Sequence, residues 1–148
     1  MVCPFCLHKK TQVINSRSTA RLNATWRRRR CNECERVFTT RENADPESIL
    51  QVGTARRAKP FSRASLTISI LRTCDHRADH GEAAYWLCDT IEQHLYRYAS
   101  KNANIVSKKT IINTALETLK KFDTAAYVKY LALYSPGLDA RTLKKHLK

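Results

Sequence analysis

Cys3-x2-Cys6 and, 24 residues further on, Cys31-x2-Cys34 are the residues whose type and spacing speak most directly of chemistry. Two residues between thiols let both sulfurs of a turn reach one ion at ~2.3 Å, and two such turns complete a tetrahedron. Four thiolates select zinc or an iron centre over hard cations, and a closed set of four leaves no open coordination position for catalysis. Reading them instead as two redox pairs calls for a βαβ context, which the neighbouring residues lack. The expected cofactor is one structural Zn2+ held by Cys3, Cys6, Cys31 and Cys34. Cys74 and Cys88 lie outside this set and read as small buried apolar residues. Cys74, His76 and His80 suggest a second metal grouping, but no fourth ligand stands near them.

The next chemically pointed feature is Trp26-Arg27-Arg28-Arg29-Arg30, which abuts Cys31, with Arg17, Arg21, Arg36 and Arg41 close in sequence. A guanidinium is a planar fork that grips phosphate, or the N7/O6 edge of guanine, with two hydrogen bonds. In an extended segment side chains alternate, so about half of the run can face a duplex while the rest bind flanking phosphates. The candidate DNA-binding residues are Arg17, Arg27, Arg28, Arg29, Arg30 and Arg36. A solvated charge run or a sorting signal is the plainer reading. Trp26 reads as a packing residue before a stacking one. If ~4–5 phosphates are neutralised per subunit, log K should fall with log salt at a slope near −4.

These residues need elements to hold them. The chain has 148 residues and a formal charge of +14, which four thiolates and one zinc ion would bring to about +12. Such a balance points to a polyanion, nucleic acid before an anionic membrane. Hydrophobic residues make up 43%, enough for a packed core, while 3 Gly and 4 Pro favour helices over a turn-rich β chain. The start lacks an apolar leader and no stretch approaches ~18 apolar residues, so a cytoplasmic protein with reduced thiols is expected rather than a disulfide framework.

Residues 1–45 are Arg-rich and too short to bury a sizeable core, so they need a staple. Residues 46–48 have turn composition and read as a linker. From Ile49 to Phe61 one or two short strands are expected. Ser62 can cap a helix running to about Thr73, although Leu66-Thr67-Ile68-Ser69-Ile70 alternates as a strand would. Ala84, Cys88, Ile91, Leu95 and Tyr98 mark one amphipathic helix. Ser107 precedes a second, with Ile112, Ala115, Leu116, Leu119 and Phe122 inward, and Asp123 a third, with Ala126, Tyr127, Tyr130, Leu131 and Tyr134 inward. Pro136-Gly137 ends it, and residues 138–148 read as a basic tail or short helix.

Cys3-Pro4-Phe5-Cys6, Val13-Ile14-Asn15-Ser16-Arg17, the four arginines, Cys31-x2-Cys34 and Phe38-Thr39-Thr40 followed by Glu42 together resemble the NrdR family of transcriptional repressors. Pro60-Phe61, Ser107-Lys108, Leu119-Lys120-Lys121-Phe122-Asp123 and Ala126-Tyr127-Val128-Lys129-Tyr130 look like landmarks of its ATP-cone. The resemblance implies an α+β chain. A four-cysteine zinc ribbon (1–45) would be followed by a mainly helical ATP-cone-like domain with a short β-hairpin (49–137). It also implies a repressor of ribonucleotide reductase operons that binds paired operator boxes on double-stranded DNA as a homo-oligomer, with ATP or dATP in the cone setting the oligomer. Asn15, Val37 and Trp26 depart from the family pattern in the ribbon. In the cone, the lysines expected to face phosphates are replaced around Gly53 and at Ser65, and Arg56, Arg57, Lys59 and Arg63 are the nearby cations that could substitute.

A zinc-ribbon RNA-binding or ribosome-associated protein, whose helical part only oligomerises, is the competing reading. No GxxxxGK[ST] loop, Ser-His-Asp grouping or paired carboxylates point to an enzyme.

Overall fold

The computed structural model describes residues 1–19 and 24–135. It falls into two compact units, Met1–Asp45 and Pro46–Lys148. Arg21 and the basic segment 138–148 lie outside the described residues.

In the first unit β1 (Thr11–Thr19), β2 (Ala24–Cys31) and β3 (Val37–Asn43) form an antiparallel sheet in the order β1-β2-β3. Thr, Val and aromatic residues favour extended backbone here, and extension also sends consecutive arginines to opposite faces, which relieves their repulsion. Trp26 pairs with Arg17 on one side and Arg41 on the other, Arg28 with Asn15 and Thr39. A bulge at Ile14 shifts the β1 register, so that Val13 stands opposite Arg29. Among the described residues of this unit the buried hydrophobic ones are few: Cys3, Ala24 and Cys31.

The second unit opens with α1 (Pro46–Ile49), which takes in residues 46–48, expected to be a linker, and Ile49. Instead Pro46 starts a helical turn, the position where its missing N–H costs nothing, and its carbonyl accepts the Leu50 N–H at 2.9 Å. β4 (Gln51–Thr54) and β5 (Arg57–Pro60) form the expected hairpin. A third strand that the sequence did not announce, β6 (Ile105–Val106), pairs parallel with β4. Two residues are too few to show a period.

Four longer helices follow: α2 (Arg63–Thr73), α3 (His80–Ala99), α4 (Lys108–Phe122) and α5 (Thr124–Tyr134). At 66–70 the helix prevails over the strand. Ser62 accepts the Ser65 N–H at 3.2 Å, and burial of Leu66, Ser69, Ile70 and Thr73 follows the helical period. Ser107 caps α4 and Asp123 caps α5 by accepting the Thr110 and Ala126 amides at 3.0 and 2.9 Å. The helices enclose one core in which Ile70, Ile91, Leu95, Leu119 and Leu131 are almost wholly buried.

Two expected core residues stay outside. Tyr98 is exposed, and the small Ala99 is buried beside it where the chain turns toward β6. Phe122 is exposed because it ends α4 and instead carries the Arg77 guanidinium 4.8 Å above its ring. Tyr134 is half-buried against the core. Cys74 and Cys88 are buried, as small apolar residues should be. No helix is long and apolar enough to cross a membrane among the described residues.

Candidate metal centre and nucleic-acid interface

Two short turns present the cysteines, and they are built alike. The Cys3 N–H donates to the His8 carbonyl at 2.9 Å and the Cys31 N–H to the Arg36 carbonyl at 3.0 Å. The Phe5 amide points at Cys3 Sγ and the Glu33 amide at Cys31 Sγ, each at 3.4 Å. Each turn then reverses through a left-handed residue directly after its second cysteine, Leu7 at φ 60° and Glu35 at φ 55°. Non-glycine residues adopt that conformation at a cost of about 1–2 kcal/mol, so something must hold both turns in it.

The four sulfurs supply the means. Cys3 Sγ lies 3.7 Å from Cys34 Sγ, Cys6 Sγ 3.6 Å from Cys31 Sγ, and all four lie within 4.8 Å of one another. A tetrahedron with metal–sulfur bonds of ~2.3 Å has edges of about 3.8 Å, so the sulfurs fit one zinc ion and are far beyond disulfide distance. At Cys3 desolvation opposes the thiolate, but the Phe5 and Cys6 amides and the neighbouring thiols outweigh it and bring the group down to about 7. At Cys31 desolvation is likewise overcome by the Cys34 and Glu33 amides. At Cys6 the His8 amide favours the thiolate, yet desolvation and the three other sulfurs push the thiol up to about 12. A divalent cation at their centre turns that mutual repulsion into attraction, which is the chemistry zinc supplies here.

The strands next to this centre sort the arginines by face. Arg17, Trp26, Arg28, Arg30 and Arg41, which the sequence placed near the run but outside the candidate DNA-binding set, share one face, and no carboxylate is among its strand residues. Arg27 and Arg29 share the other with Glu42, whose carboxylate lies 3.0 Å from Arg27 and 4.0 Å from Arg29. Arg29 also donates to Thr40 Oγ1 at 3.3 Å, and only 15% of its side chain is exposed. Arg36 stands apart, 5.2 Å over the Phe5 ring, which meets Phe38 edge-on at 6.4 Å. Trp26, read mainly as a packing residue, is 37% exposed, with the Arg41 guanidinium 5.5 Å from its ring.

In the second unit a cleft of about 270 Å³ opens between β4–β5, α2, α4 and α5. Lys59 and Lys108 line it with Ser62, Ser65 and Ser69, against an apolar wall that includes Phe61, Ile111 and Tyr130. Of the four cations named as substitutes, Lys59 alone is among these lining residues. Arg56 and Arg57 are exposed on the hairpin. Arg63 does not stand in for the absent lysines, because it binds Asp89 at 2.7 Å and Glu92 at 2.5 Å. Gly53 explains one of those absences. Its φ is +142°, and a Cβ there would lie 2.1 Å from the Arg57 carbonyl oxygen, so the hairpin accepts no side chain at that point. The Cys74, His76, His80 grouping is not assembled: His76 meets Asp123 at 3.3 Å and His80 Nδ1 meets the Arg77 carbonyl at 2.9 Å.

Comparison with known proteins bears on both units. Residues 1–42 match the family model described as the N-terminal domain of NrdR-like transcriptional repressors. Over its full 148 residues the chain is 31% identical to the transcriptional repressor NrdR of Acetivibrio thermocellus, covering 96% of that protein. It is 31% identical to that of Pelotomaculum thermopropionicum, covering 87%, and 28% identical to that of Lachnoclostridium phytofermentans, covering 95%.

Proposed function

Since the chain belongs to the NrdR family of transcriptional repressors, we propose that it is a zinc-dependent repressor that binds double-stranded DNA through the sheet beside its metal centre. Its targets are ribonucleotide reductase operons, it works as a homo-oligomer on paired operator boxes, and it performs no catalysis. The observation that carries this reading is the sheet face on which Arg17, Arg28 and Arg30 stand together, with no carboxylate among its strand residues. Fixed guanidinium groups bind phosphates and base edges with little further ordering. The zinc ion supplies rigidity and leaves no open position for a reaction.

Adenine nucleotide, ATP or dATP, occupies the cleft beside Lys59 and Lys108 and sets the oligomer. Its apolar wall suits a base and its two ammonium groups suit phosphate. Two cations only partly balance a triphosphate, so binding is weak for a nucleotide site.

Gel shifts with a duplex carrying two AT-rich boxes, one box, or an RNA hairpin test the first part. Retention at least tenfold tighter on the paired boxes is expected, and equal retention on all three contradicts it. Calorimetry with ATP and dATP tests the second. Heat of binding together with a change in oligomer size is expected; neither at millimolar nucleotide contradicts control through the cleft.

A further inference from the structure

We propose that Trp26 is a specificity-determining residue, its indole resting on the 5-methyl group of thymine in the major groove while Arg17 and Arg28 hold phosphates beside it. This rests on the duplex-DNA reading above. Cross-strand pairing sets Trp26 between Arg17 on β1 and Arg41 on β3, with Arg28 and Arg30 following on the same face. The Arg41 guanidinium lies 5.5 Å from the ring centroid, a cation–π contact that fixes the ring while 37% of the residue stays open to solvent. An apolar surface held open at the middle of a cationic face meets whatever the cations attract.

The dimensions agree. The major groove of B-form DNA, ~12 Å wide, admits a two-stranded β-ribbon, and β2 paired with β3 at a strand spacing of about 4.8 Å is such a ribbon, with Trp26 opposite Arg41 on it. Within that groove guanidinium groups read guanine edges and phosphates. The thymine methyl is the apolar feature they cannot recognise and an indole can.

The test uses the full-length zinc-loaded protein and two 30-bp duplexes, alternating dA-dT and the same sequence with deoxyuridine for thymidine, which removes only the methyl groups. The wild type should bind the thymine duplex about fourfold more tightly per methyl contacted. Trp26→Ala should bind both alike, with its salt slope unchanged because no phosphate contact is lost, and Trp26→Phe should keep part of the preference. Zinc content and thermal midpoint should match the wild type. Should Trp26→Ala lose zinc, Trp26 emission read in a Trp86→Phe background provides the second measurement: it should fall on adding the thymine duplex. A preference that survives Trp26→Ala, or Trp26 emission that does not respond, overturns the assignment. So does a wild type that binds both duplexes without preference. A wild type that binds neither duplex fails the DNA reading itself, and the assignment with it.

Discussion

Within the run 27–30, neighbouring arginines meet different surroundings because extended backbone sends them to opposite faces and one face also carries Glu42. Arg27 at 3.0 Å and Arg29 at 4.0 Å from that carboxylate are partly neutralised, whereas Arg28 and Arg30 share a face with Arg17 and Arg41. Arg28→Ala and Arg30→Ala should therefore each weaken duplex binding and make the salt slope shallower by about 1. Arg27→Ala and Arg29→Ala should leave the slope nearly unchanged. Anisotropy titrations between 50 and 200 mM salt check this, and the reverse ranking would place the duplex on the other face. Alternation along β2 was legible in the sequence, and so were the four ligand cysteines, since ligand spacing is local. Which half of the run faces Glu42, and that Arg41 lies over Trp26, was not. Both depend on register between strands, which no single segment encodes.

At the level of elements, α2, α4 and α5 begin where hydroxyl and carboxylate caps say they should, because a cap acts within four residues of itself. β6 was invisible, being two residues long and defined only by its parallel partner β4. The helix over 63–73 was legible only through its cap, as its middle alternates like a strand. Asp123 is the most heavily used cap. It accepts the Ala126 amide at 2.9 Å, and its other oxygen meets Arg77 at 3.1 Å and His76 at 3.3 Å. The Ala126 amide, then Arg77 and His76, outweigh desolvation and lower its carboxyl from 3.8 to about 2. A depressed carboxyl stabilises the fold above its unfolded value, and that contribution disappears as pH falls through the folded one. Thermal stability should thus decline between about pH 4 and pH 2. Asp123→Asn, which keeps the cap but not the charge, should flatten that decline. Asp123→Ala should in addition cost about 1 kcal/mol at pH 6, read by chemical denaturation.

Across the whole molecule, the two units owe their order to different physics. Residues 46–135 enclose a hydrophobic core that sustains its helices, whereas the described residues among 1–45 bury little apolar side chain beyond Cys3, Ala24 and Cys31 and carry two turns in left-handed conformations. Four thiolates around one ion replace the missing core, and they also fix the strand that carries the arginines. The measurement that tests this most directly follows zinc content, far-UV circular dichroism and duplex binding together as a chelator is titrated into the full-length protein. Duplex binding should disappear in step with the metal while most of the helical signal remains. A metal-free protein that binds duplex as tightly as before would contradict it.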